Sequence, residues 1–159
     1  MVEVELQETI RCSAQTWLEF VLAVDRYREV DNKIGPIPWS SRVGNLVEFK
    51  FRPRLPGVRL PPSYIVSQMR LTPWQSIDVA LAPLPRNLIS RPALQFSAQF
   101  SCTPCNDGIN VTRSVCFAFT PGLSWYTDPI LRRTLPVSVR RELDLTKALL
   151  EGETSAGAG

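Results

Sequence analysis

Few side chains in this chain have the type and position to do chemistry. They are one arginine, Arg113, one glutamate, Glu142, and four cysteines at positions 12, 102, 105 and 116. The sequence holds no histidine, which removes the commonest general base and every Ser-His-Asp or Cys-His arrangement. Acid–base work would fall to carboxylates, tyrosines, lysines or cysteines. Cys102 and Cys105 form the stretch CTPC, in form half a zinc site or a redox pair. A tetrahedral site would also need Cys12 and Cys116, and neither belongs to a second close pair. A redox pair needs a strand-to-helix turn with its thiolate at a helix N-terminus, whereas these two precede a hairpin turn. The cysteines therefore read as reduced structural thiols, with no metal and no cofactor expected.

The bounds on the chain are set by its composition. A length of 159 residues suits one compact domain, expected over residues 1–151, with the small, polar stretch 152–159 as a disordered tail. The net charge is only +3, and the basic residues are scattered rather than gathered in a stripe, so no nucleic acid partner is expected. No apolar run reaches the length of a membrane span. The opening MVEVELQETI alternates apolar and polar from its second residue and has no basic region followed by an apolar segment. It does not read as a secretory signal, which predicts a cytoplasmic protein and leaves the sequon at Asn110 without meaning.

The elements that would position Arg113 and Glu142 follow from periodicity. Val2, Val4 and Leu6 share one face of a first strand, and Ser13 stands where an N-cap opens a helix. Trp17, Phe20, Val21 and Val24 then recur at the spacing of a buried helical stripe. Asp25 is placed to cap a second short helix before glycine and prolines break the pattern. From Trp39 the period becomes two. Strands are predicted on either side of Gly44 and Asn45, with Val47, Phe49 and Phe51 on one face, followed by a proline-rich loop over residues 52–62. Two further strands cover SYIVSQMRLTPW and QSIDVAL, and residues 82–92 form another connection.

The clearest hairpin runs from Ala93 to Phe119. Leu94, Phe96, Ala98, Phe100 and Cys102 face one way, and Asp107–Gly108 is the favoured pair for a two-residue turn. Centred there, the turn pairs Phe100 with Val115, Ala98 with Phe117, Phe96 with Phe119, and Cys102 with Arg113. Arg113 is thereby placed on the apolar face. Asp128–Pro129 has the form of a helix start, predicting a short helix to Arg133 and a longer one from about Val137. On that helix Leu135, Val139, Leu143, Thr146 and Leu150 fall within roughly 80° of one another, with Arg140, Arg141, Asp144, Lys147 and Glu151 opposite. Glu142 breaks the segregation, lying between Leu135 and Leu149 in projection.

This order of elements is α+β, with helices covering one face of an antiparallel sheet. The opening VEVELQETI, the helix AQTWLEFVLAVDRYREVD and the closing VRRELDLTKALLEGE resemble the SRPBCC superfamily, which includes START domains, birch-pollen-type allergens and bacterial polyketide cyclase or dehydrase domains. Bacterial members typically follow the first helix with an acidic residue, a basic one, an aromatic, then proline and tryptophan. Here Asp25, Arg26 and Tyr27 fit, while Arg28 and Val30 stand in place of proline and tryptophan. The resemblance implies a helix-grip fold, a curved antiparallel sheet wrapped around a long C-terminal helix, with an apolar cavity between sheet and helix. It also implies binding of lipids, sterols, polyketides or hormones, and in some members cyclase, aromatase or hydrolase activity. No catalytic motif of the family is matched residue by residue.

Two readings of the inward charges stay open. Arg113 and Glu142 could face one cavity, where Arg113 fixes a carboxylate or carbonyl of a small hydrophobic molecule and Glu142 pairs with it or acts as a proton acceptor, the candidate catalytic role. Alternatively both snorkel to water from element ends. Phe96, Phe100, Phe117 and Phe119, with Val139 and Leu143, either line that cavity or fill a plain core. The expected function is a carrier or sensor, and the alternative is a polyketide cyclase or aromatase. Outward Ser97, Ser101, Ser114, Cys116 and Ala118 make a small-residue sheet face that would accept a second copy of the chain as a homodimer.

Overall fold

The alternating stretches pair into a single curved sheet in the computed structural model, which describes residues 1–59, 63–83, 86–87 and 94–158, with side chains through Glu153. The elements are β1 (Val2–Ile10), α1 (Ala14–Leu22), α2 (Val24–Tyr27), β2 (Trp39–Val43), β3 (Leu46–Phe51), β4 (Ile65–Thr72), β5 (Ser76–Leu81), β6 (Leu94–Cys105), β7 (Gly108–Phe119) and α3 (Pro121–Ala158). Seven strands run antiparallel in the order β1-β7-β6-β5-β4-β3-β2. With two short helices after β1 and a long one at the end, this is the helix-grip α+β fold. Both proline-rich connections, 52–62 and 82–92, run partly outside the described residues.

Local chemistry explains most element boundaries. Ser13 caps α1, its Oγ accepting from the Thr16 N–H at 3.1 Å. Trp17, Phe20, Val21 and Val24 are all buried. Asp25 does not cap α2: Ala23 holds that position without a side-chain bond, and Asp25 sits in the first turn. Gly44 and Asn45 form the β2–β3 turn, and Val47, Phe49 and Phe51 share the buried face.

Two sequence expectations are corrected by the structure. The β6–β7 turn is Asn106–Asp107, and Gly108 already pairs with Cys105 as the first residue of β7. Gly108 is needed for another reason: it adopts φ +135, and a Cβ there would lie 2.2 Å from the Ile10 carbonyl oxygen at the end of β1. The register therefore slips by two, pairing Phe100 with Arg113, Ala98 with Val115, Phe96 with Phe117, and Leu94 with Phe119. A slip of two keeps every side chain on its expected face.

The second correction concerns α3, which starts at Pro121 rather than Pro129 and is continuous through Pro129 and Pro136. Pro121 takes the first helical position that suits proline, and Asp128 instead accepts from the Met1 amino group at 2.8 Å. Each interior proline removes one helical hydrogen bond, but the carbonyls left over belong to Trp125 and Arg132, both exposed to solvent. Packing of the fully buried Leu131 and Leu135 holds the helix together across these positions. At its far end α3 runs through 152–158, the stretch whose composition suggested a disordered tail.

Candidate functional site

The chain from Asp31 to Gly35 after α2 is irregular, and hydrogen bonds fix it over the inner face of the sheet. Asp31 Oδ1 accepts from the Lys33 N–H at 3.0 Å, a local turn of the kind short acidic side chains form. The Lys33 carbonyl accepts from the Arg54 N–H at 2.8 Å, and the Gly35 N–H donates to the Arg52 carbonyl at 2.8 Å. With its backbone held, Lys33 turns its side chain inward. There it meets Glu142 of α3 and lies near Arg113 of β7.

The result is a buried cluster of four charges. Lys33 Nζ lies 2.8 Å from Asp31 Oδ1 and donates to Glu142 Oε2 at 2.9 Å. Arg113 Nε donates to Glu142 Oε1 at 3.0 Å, and Arg113 Nη1 to the Ser114 carbonyl at 3.0 Å. Arg113 Nη2 makes no hydrogen bond to the described residues, and Asp31 Oδ2 lies 3.8 Å from it, beyond hydrogen-bonding distance. The guanidinium lies over the Phe100 ring, 4.0 Å from its centre, a favourable placement for a cation. All four side chains are buried, so neither Arg113 nor Glu142 snorkels to water. Two acids and two bases sum to no net charge. That balance lets charges stand inside a protein, where an unpaired one would cost several kcal/mol.

Burial also shifts these groups. It pushes the Glu142 carboxyl well above its ordinary value, the Lys33 ammonium down and the Arg113 guanidinium down to about 10, with Asp31 pulling the other way. Each shift opposes ionisation, as desolvation must. A proton passing from Lys33 to Glu142 would leave the total charge at zero.

Beside the cluster lies a cavity. Its walls include Tyr27, Ile34, Phe49, Phe51, Pro53, Leu55, Ile65, Met69, Val79, Leu94, Phe96, Ala98, Phe100 and Phe117, with Asp31, Lys33 and Arg113 as the charged members. Its volume is about 50 Å³, and its walls are overwhelmingly apolar. The rings are set by strand register, which pairs Phe96 with Phe117 across β6 and β7 at 5.0 Å between ring centres. Phe49 and Phe51 stack at 5.0 Å on β3. Trp17 and Tyr27 meet Phe100 edge-on, at 6.0 and 5.5 Å. On the inner face of β4, Ser67 is fully buried, and its Oγ is the buried side-chain atom without a hydrogen-bond partner among the described residues.

The structure thus brings Arg113, Phe96, Phe100 and Phe117 to one cavity. It does not bring there Phe119, which is half-buried beside Leu94, or Val139 and Leu143, which are buried core residues. Glu142 stands behind the wall, both carboxylate oxygens engaged by Arg113 and Lys33. The cavity is therefore not walled by the C-terminal helix, as the sequence reading expected: α3 supplies none of the described lining residues. The reason is width, because seven strands about 4.8 Å apart far exceed what one helix about 10 Å across can cover. Asp31 and Lys33 were not found from sequence, since irregular segments have no period to reveal which way a side chain points. The available signal was indirect: two inward charges required partners. No cluster of metal-ligating side chains occurs among the described residues, nor any helix long and apolar enough to cross a membrane.

The sequence matches no family model and no curated protein. Solved structures do match in shape. The di-domain ARO/CYC protein StfQ from the steffimycin biosynthetic pathway superposes with a TM-score of 0.72 at 16% identity, over 97% of this chain and 52% of that one. A protein from Thermus thermophilus gives 0.70 at 9% identity, over 92% and 94%. The Zhui aromatase/cyclase from Streptomyces gives 0.63 at 10% identity, over 94% and 96%. This chain spans about half the length of StfQ. At these identities the likeness establishes the shared helix-grip fold alone.

Proposed function

We propose that this protein binds a small hydrophobic molecule in the cavity between the sheet and the Asp31–Gly35 segment, as a carrier or sensor. The observation that carries this reading is the cavity itself, a pocket of phenylalanine and aliphatic walls with one arginine presenting free N–H groups at its end. Ligand sites are commonly of this kind, apolar with a few placed polar groups that fix orientation. Arg113 is the anchor for an oxygen of the ligand. Glu142 holds its guanidinium as a positioning residue and is itself fixed by Lys33.

A polyketide cyclase or aromatase is the second reading, favoured by the likeness in shape to the ARO/CYC protein StfQ and the Zhui aromatase/cyclase. In it the cavity would fold a chain of carbonyls, and Arg113 would polarise one of them. The experiment is native mass spectrometry of the purified protein followed by solvent extraction, repeated on Ala98→Leu, which fills the cavity without touching the charge cluster. An apolar molecule retained by the wild type and lost from the variant supports the reading. A wild-type protein that carries nothing and shows no thermal shift with any of a panel of hydrophobic compounds overturns it. The cyclase reading further requires conversion of a poly-β-ketone substrate by the wild type. The small-residue face on the outside of the sheet, where Ser97, Ser114 and Cys116 line a shallow trough, would seat a second copy. Light scattering of a monomer in solution would remove the homodimer.

A further inference from the structure

We infer that the cavity selects neutral molecules bearing a carbonyl group, such as ketones, esters or amides, over carboxylates, and that Asp31 sets this preference. The inference rests on the binding reading above and deepens it. The ionisable groups lining the cavity among the described residues are Tyr27, Asp31, Lys33 and Arg113, with Glu142 directly behind them. Asp31, Lys33, Arg113 and Glu142 already cancel one another. Moving a proton from Lys33 to Glu142 does not alter the sum. A carboxylate entering this site would therefore be a buried anion with no counter-charge, the case that proteins avoid most strongly.

A carbonyl oxygen meets no such penalty. The Nη2 group of Arg113 has no hydrogen-bond acceptor among the described residues, and Asp31 Oδ2 lies 3.8 Å away. A neutral acceptor reaching the Nη2 N–H from the cavity side takes that donor and adds no charge to the cluster. Asp31 matters because it supplies one of the two negative charges and lines the cavity itself. Its replacement by asparagine leaves the cluster one positive charge in excess while keeping an oxygen in place for the Lys33 N–H. The variant should then welcome the anion that the wild type rejects.

The test compares two probes of one shape, benzylacetone and hydrocinnamate, which share a phenylethyl chain ending in a methyl ketone or a carboxylate. Affinities are measured by ligand-observed NMR on wild type and Asp31→Asn. The wild type is expected to bind the ketone roughly tenfold or more tightly than the carboxylate, and the variant to abolish or reverse that ratio. Should the variant fail to fold, a pH series on the wild type decides. Between about pH 6 and about pH 8 the ketone affinity should stay flat, while the carboxylate affinity falls about tenfold per pH unit because one proton must enter with it. Equal binding of both probes by the wild type, an unchanged ratio in the variant, or a pH-independent carboxylate affinity would overturn the selectivity while leaving a binding pocket. Absence of binding by either probe to either protein would instead remove the binding reading, and this inference with it.

Discussion

The inner face of the sheet has two halves that share one alternating pattern and end differently. On β1 and β7 the inward residues lie beneath α3, where Leu135 and Val139 are fully buried and helix and strands interlock. From β6 to β3 they lie beneath the Asp31–Gly35 segment and the chain around Pro53 and Leu55, and a cavity remains. Val111 of β7, which does not line the cavity, and Phe49, which does, are both buried. A regular helix presents side chains at a spacing that fills grooves, whereas a loop held at a few backbone bonds leaves gaps. Burial by itself does not distinguish a filled core from a hollow one; what covers the strand does.

The largest blow to this comparison would come at the seam, where the charge cluster joins α3, β7 and the loop. Arg113→Ala leaves Glu142 with one cation fewer in a buried site and should lower stability by about 3–5 kcal/mol, read as the midpoint shift of a urea denaturation curve. A loss below about 1 kcal/mol would mean that water reaches the cluster. The halves themselves are compared by adding volume to each. Val139→Leu, on the buried face of α3, should cost about 1–3 kcal/mol through overpacking. Ala98→Leu, which points into the cavity, should cost less than about 1 kcal/mol or add stability. Equal losses would show that the cavity closes in solution. The smallest effect concerns Ser67, whose buried hydroxyl has no hydrogen-bond partner among the described residues. Ser67→Ala removes an unsatisfied group and should raise stability by about 1 kcal/mol. A loss of similar size would reveal a bond to water within the hollow half.

Much of this was legible in the chain. The faces of β1, β3, β6 and β7, the Ser13 cap and the inward placement of Arg113 and Glu142 were legible, the faces from periods of two and of 3.6 residues, which local geometry imposes whatever the surroundings. The exact partners of Phe96 and Phe100 did not follow, because Gly108 satisfies a contact with Ile10 on another strand rather than the turn beside it. The start of α3 was likewise misplaced, since the packing of Leu131 and Leu135 outweighs the stop signal of two prolines.

The site shows the same division. Sequence alone established that two opposite charges point inward, and so that they need partners, since an uncompensated charge in an apolar interior is too costly to persist. Only the tertiary structure supplied Asp31 and Lys33, balanced the cluster to zero and put the cavity beside the loop rather than under the helix. Those outcomes depend on which distant segments meet, and no local period encodes that.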